Sequence, residues 1–296
     1  ILYKACAECH RPGSIAPMSL LSYDDVRPWA RAVKQRVVSR EMPPWGADPA
    51  VGKFANDPSL SKAEVDTITA WVDGGAPEGN KADMPALPKF TEGWSIGKPD
   101  MVFTFLQPFK VPADGTVPYS YVTIPTNLKE DIWVRAVEYK TADRRVLHHI
   151  IGTLVEGNGK PVDPTPRLQR DPAFKEIGAF AGYVPGRIDN EFEEGTARRI
   201  PAGSNIVLQM HYTTIGQPVE DVLQIGVVLA KEPPSKLKVA AGGQIPNLTF
   251  AIPPGDPNYE VTAKQTFDRD TRLNTDRKST RLNSSHVSES RMPSSA

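Results

Sequence analysis

Apolar residues recur at helical spacing in only two stretches, both in the first quarter of the chain, and elsewhere fall into short runs broken by Pro, Gly and Asn. The first helical stretch opens at Ser22 and carries Val26, Trp29, Val33 and Val37 on one face, with Asp24 and Asp25 favouring its N-terminal end and Pro28 near its first turn. The second is bounded at both ends. Ser61 and Glu64 form a capping-box pattern, Val65, Ile68 and Val72 make an apolar face flanked by Trp71, and Gly74-Gly75 stops the helix. Between the two lie Glu41-Met42-Pro43-Pro44-Trp45 and a loop over 46–59. Residues 76–93, with Pro77, Pro85 and Pro88 among charged and small residues, read as a linker.

Beyond the linker the pattern predicts strands over 101–106, 119–124, 132–139, 146–155, 206–213 and 222–229, and hence an antiparallel β-sandwich. The polar region 163–199 reads as long loops. Residues 268–296, rich in Arg, Ser, Thr and Asn without an apolar face, are expected to be disordered. Within them, residues 277–286 resemble translated sequencing-adaptor sequence, so a native C-terminal part is expected to have been replaced.

The 296 residues, 39% of them hydrophobic, suffice for about two domains with their own cores. Lys plus Arg (35) balance Asp plus Glu (35), which leaves no basic field for nucleic acid or an anionic membrane. No apolar run approaches the roughly 18 to 20 residues of a membrane span. The sequence starts at Ile1, so a signal peptide and the start of a first helix are expected to precede it.

Both cysteines stand in Cys6-Ala7-Glu8-Cys9-His10, a C-x-x-C-H run that reads as a covalent attachment site for c-type haem. Two thiols add to the porphyrin vinyl groups while the next residue, His10, offers an axial nitrogen to the iron, so the spacing is a chemical requirement. A zinc site would need a second ligand cluster, and no other cysteine exists. A thioredoxin-like site needs no histidine and should follow a strand, whereas Pro12, Gly13 and Pro17 follow at once.

The order of haem motif, helix, Met-Pro-Pro loop and final helix resembles a small class I cytochrome c over residues 1–79. The resemblance implies a small all-α domain, a periplasmic or exported location, and a loop methionine as second axial ligand, a place that Met42 fits. Its thioether suits iron that changes oxidation state. Met18 is the rival, though it lies close to His10 in sequence; packing alone is the other reading of Met42. Trp29 and Trp45 are expected to pack in the haem core.

Of five histidines, His148, His149 and His211 lie within predicted strands. Imidazole nitrogens suit copper, zinc, iron and nickel, yet a strand histidine is more often a packing residue. Adjacent residues on a regular strand also face opposite ways, so a site shared by His148 and His149 requires a bend or bulge there.

The adjacent pair, followed 62 residues after His149 by Leu208-Gln209-Met210-His211-Tyr212, resembles the N-terminal domain of the copper type II, ascorbate-dependent monooxygenases, the family of peptidylglycine alpha-hydroxylating monooxygenase. The likeness spans about residues 95–265 and implies a jelly-roll-like sandwich in which His148, His149 and His211 hold an electron-transfer copper. The family's second, oxygen-activating copper uses a His-x-His pair, which this sequence lacks. No catalytic residue is therefore assigned, and O2 and an organic substrate are expected only for a complete enzyme.

The expected organisation is a multidomain chain: a cytochrome c domain (1–79), a Pro-rich linker (80–94), a copper-binding β-sandwich (95–267) and a non-native tail (268–296). Electrons from a donor left open by the sequence would enter at haem and pass to copper. The competing readings are an exported electron carrier whose sandwich binds a partner and whose histidines are structural, and a mononuclear zinc or copper hydrolase. The latter is weakened by the absence of a carboxylate motif near the His pair.

Overall fold

The computed structural model describes residues 1–45, 57–91, 93–105, 107–157, 162–163, 165–185, 192–232, 238–239, 247, 249–256, 259–264 and 266. The expected loop over 46–59 is described only from Asp57, and the tail 268–296 lies outside the described residues. The chain separates into two compact units, one of Ile1–Ala7, Ser19–Leu87 and Gln244–Ala296, the other of Glu8–Met18 and Pro88–Gly243.

Helices α1 (Leu2–Ala5), α2 (Tyr23–Val26), α3 (Ala30–Val38) and α4 (Lys62–Asp73) belong to the first unit. Ser22 caps α2 by accepting from the Asp25 amide. The stretch expected as one helix is divided there, because Pro28 sits in a 3-10 turn, Arg27–Trp29, between α2 and α3. The capping box of Ser61 and Glu64 is formed at the start of α4. Val26, Ala30, Val33 and Val37 bury one face of α2 and α3, and Ile68 does so for α4. Lys34 reaches Asp73 across α3 and α4 at 2.5 Å, and the Tyr23 hydroxyl donates to the Ala76 carbonyl at 2.9 Å. Trp29 is 46% exposed rather than enclosed in a core.

The second unit is built of antiparallel sheets, with one short parallel pair. Its strands are β1 (Met101–Thr104), β2 (Phe109–Val111), β3 (Ser120–Pro125), β4 (Ile132–Lys140), β5 (Leu147–Val155), β6 (Glu176–Tyr183), β7 (Thr196–Ile200), β8 (Asn205–Tyr212), β9 (Val219–Asp221), β10 (Gln224–Leu229) and β11 (Lys238–Val239). A five-stranded sheet runs β1-β10-β4-β7-β11, a four-stranded sheet runs β3-β8-β5-β6, and β2 pairs with β9. One core lies between the two larger sheets: Phe103, Val134, Tyr139, Ile200 and Ile225 of the first meet Val122, Ile150, Phe180, Leu208 and Met210 of the second.

The expectation of long loops over 163–199 is corrected by β6 and β7, which pair with β5 and β4. Their sequences hide them. Strand β6, Glu-Ile-Gly-Ala-Phe-Ala-Gly-Tyr, is an edge strand with only Phe180 fully buried, and β7 carries Arg198 and Arg199 at its centre. No helix among the described residues is long and apolar enough to cross a membrane.

Candidate metal centre

His148 and His149 lie near the start of β5, and His211 one residue before the end of β8, its neighbour in the four-stranded sheet. In the register between these strands Leu147 stands opposite Tyr212 and His149 opposite His211, so β5 spends one residue more than β8 over this step. His148 is that extra residue. A β-bulge at this point removes the alternation that would send the adjacent histidines to opposite faces. Leu147 and Ile150 on either side of the pair, and Met210 and Tyr212 on either side of His211, are almost wholly buried, which fixes both strands to the core beneath the imidazoles.

The three rings form a nearly equilateral triangle, with centroid separations of 5.2 Å (His148–His149), 5.0 Å (His148–His211) and 5.1 Å (His149–His211). All three are half-buried, and one ligand nitrogen from each lies within 4.8 Å of the others. The Nδ1 of His148 stands 3.0 Å from Nδ1 of His149 and 3.2 Å from Nδ1 of His211. A neutral imidazole Nδ1 carries either one proton or one in-plane lone pair, so His148 cannot make a well-directed hydrogen bond with both neighbours at once. Three lone pairs aimed at a common cation resolve that conflict. With metal–nitrogen bonds of about 2.0 Å, these two separations correspond to ligand angles of about 100°, within reach of a tetrahedral or trigonal centre.

Burial lowers the His211 imidazole below its ordinary value, and the neighbouring His148 lowers it further. The neutral, lone-pair-bearing form that a metal requires is thereby favoured. The donor set therefore fits a borderline first-row metal, zinc, copper, iron and nickel alike.

A buried carboxylate ties down both strand ends. Asp221 of β9, 1% exposed, accepts from the Thr141 hydroxyl and the Ala142 and Asp143 amides through Oδ1, and from the Tyr212 hydroxyl through Oδ2 at 2.8 Å. Phe109 stacks on Tyr212 with centroids 4.5 Å apart. The segment leading into β5 and the residue following His211 thus share one anchor. Burial raises the Tyr212 phenol, and the Asp221 carboxylate adds to the rise, so Tyr212 remains a hydrogen-bond donor. Sequence reasoning missed Asp221 because an acidic residue in a short polar stretch is ordinary loop chemistry until the strands around it are paired. Met210 lies in the core, with the Tyr212 hydroxyl 4.0 Å from its sulfur, and so is not placed with the imidazoles.

The residues of the Cys6–His10 run and those after it sit in a series of tight turns. The Cys6 and Ala7 amides donate to the Leu2 carbonyl, the Ala16 amide donates to the Cys9 carbonyl at 3.2 Å, and Arg11 pairs with Glu8 at 3.0 Å. Cys6 and Cys9 are partly buried and not joined in a disulfide. Burial pushes the Cys9 thiol up, with the Glu8 carboxylate adding to the effect. His10 Nδ1 lies 3.3 Å from the Met18 carbonyl oxygen, a contact that orients the ring and turns Nε2 away from that carbonyl. Burial lowers the His10 imidazole against that hydrogen bond, again favouring the neutral form. Met42 follows α3, its amide donating to the Arg36 carbonyl at 3.1 Å, and its side chain is partly buried.

Within the second unit the Arg11 guanidinium lies 4.3 Å above the Phe90 ring. Tyr183 of β6 is pushed up to about 12, chiefly by burial, with Arg144 opposing and Asp221 and Cys9 adding. No family model matches the chain, and no characterised protein matches it by sequence.

Proposed function

We propose that this chain is a redox module with two metal centres, a c-type haem held by Cys6, Cys9 and His10 with Met42 as second axial ligand, and a copper held by His148, His149 and His211. The observation that carries the copper reading is the convergence of three Nδ1 atoms produced by the bulge at His148. Regular pairing of β5 would scatter these rings, and a purely structural role offers no reason to bring a ligand nitrogen of each within 4.8 Å of the others. The haem reading rests on the C-x-x-C-H spacing and on a His10 ring already oriented by the Met18 carbonyl. That carbonyl contact puts the Met18 backbone on the His10 side, which favours Met42 for the opposite face of the haem.

Copper bound by three imidazoles supplies a one-electron couple, and haem with His/Met ligation supplies another. Burial favours the neutral form of the His211 and His10 imidazoles, the core fixes the strands that carry the three histidines, and one polypeptide carries both candidate centres. Functionally the module is an oxidoreductase component of the kind its sequence resembles, the small all-α cytochrome c domain joined to the jelly-roll-like electron-transfer domain of copper type II monooxygenases. Hydroxylation of a C–H bond with O2 would require a second copper site, for which this sequence holds no His-x-His pair. An exported or periplasmic location follows from covalent haem attachment on this reading.

The test is metal analysis of haem-loaded, copper-reconstituted protein together with electron paramagnetic resonance of the oxidised form. The expected result is about one copper per haem with a type II signal that is lost in His148→Ala and His211→Ala. Haem without stoichiometric copper would replace this reading by that of an electron carrier whose sandwich serves another purpose. A haem spectrum unchanged by Met42→Ala would remove Met42 from the iron.

A further inference from the structure

Tyr119 immediately precedes β3, whose first pair is Ser120 with Met210. One step further along the same antiparallel register brings Tyr119 level with His211, which is itself paired with His149. The three residues make a row across β3, β8 and β5 on the face of the sheet turned away from the core. The Tyr119 ring meets His211 edge-on, with centroids 4.7 Å apart and planes at 65°, and leans on His149 at 5.6 Å and 56°. Its neighbours hold it in place, since Val117 and Ser120 are buried, at 7% and 6% exposure, and the Ser120 hydroxyl donates to the Pro118 carbonyl. The tyrosine itself is 51% exposed. A large aromatic ring left half in water gains little from burial there, so its contact with the two imidazoles is the interaction that its position provides.

Resting on the copper reading above, we infer that Tyr119 is a positioning residue for the metal centre. Its ring edge fixes the planes of His211 and His149 so that their Nδ1 atoms face His148, and it closes the β3 side of the centre to exogenous ligands. Imidazole ligands need a second group to fix ring orientation, most often through a hydrogen bond; here an aromatic edge serves two of the three at once. The hydroxyl plays no part in that contact, which makes Tyr119→Phe the conservative variant and Tyr119→Leu the one that keeps apolar bulk without an aromatic edge.

The experiment compares full-length, haem-loaded, copper-reconstituted wild type with Tyr119→Phe, Tyr119→Leu and Tyr119→Ala. It reads the copper(II) hyperfine pattern, the rate of copper release to a chelator and the affinity for azide, with circular dichroism to check folding. The expectation is faster release by about tenfold in the Ala and Leu variants, a changed hyperfine pattern, tighter azide binding, and wild-type values in Tyr119→Phe. Ala and Leu variants that match wild type while His148→Ala still loses its copper would overturn the role of Tyr119 and leave the copper site standing. Wild type that takes up no copper, or a His148→Ala variant that keeps it, would overturn the copper reading and this inference together. Release accelerated equally in Tyr119→Phe would assign the effect to the hydroxyl and overturn the ring-edge account.

Discussion

Asp221, 1% exposed, gathers four hydrogen bonds beside the candidate metal centre: one hydroxyl and two amides on Oδ1 and the Tyr212 phenol on Oδ2, the hydroxyl and phenol contacts being buried and the two amides partly so. Removing the carboxylate leaves the Thr141 hydroxyl and the Tyr212 phenol buried without this acceptor, whereas asparagine keeps one acceptor oxygen and can donate to the phenol. Asp221→Ala should therefore lower the unfolding free energy by about 3 kcal/mol, and Asp221→Asn by roughly half of that, in urea titrations. A loss below about 0.5 kcal/mol in Asp221→Ala would show that water replaces the network at no cost. Gly152 poses a steric question on the same strand as His148 and His149. A Cβ at this position would overlap the Tyr139 hydroxyl and stand 2.7 Å from the Ala181 carbonyl oxygen, the very atom to which that hydroxyl donates at 3.1 Å. Gly152→Ala should cost about 1 to 3 kcal/mol in the same titration, because one sheet would have to move from the other.

At the scale of the element, the bulge in β5 separates what was legible in the sequence from what was not. The histidines were legible as residue types with metal chemistry, and the need for a bulge was legible from their adjacency. Its presence was not, because it is set by which residues face each other across β5 and β8, with Leu147 held opposite Tyr212 by a core assembled from distant segments. The capping box of α4 was fully readable since Ser61 and Glu64 lie within one turn. Strands β6 and β7 were not, since β6 is an edge strand with small residues and β7 places Arg198 in contact with the Phe180 carbonyl of the opposite sheet. The bulge itself yields a prediction. His148→Ala retains the extra backbone residue, so metal-free stability should stay within about 0.5 kcal/mol of wild type. Copper at about a hundred times its dissociation constant should stabilise wild type by about 2.7 kcal/mol and this variant not at all, as read by thermal unfolding with and without chelator. Equal stabilisation of both proteins would place the metal elsewhere.

At the scale of the whole molecule, the proposed two-centre reading turns on how the C-x-x-C-H motif and the three histidines share one chain. Glu8–Met18, which contains Cys9 and His10, belongs to the same compact unit as the strands carrying the three histidines. Arg11 rests on Phe90 in the linker, within that same unit. A donor and an acceptor held on one chain behave as partners at millimolar effective concentration, above the micromolar concentration of a kinetic experiment. On the proposed two-centre reading, haem reduced by a rapid pulse in the copper-loaded protein should be reoxidised in a first-order process whose rate stays constant over about a tenfold range of protein concentration. In His148→Ala that phase should vanish while the pulse still reduces the haem, since the acceptor alone is missing. A rate proportional to protein concentration would mean that electrons pass between molecules, and the covalent link would then serve recruitment rather than electron flow.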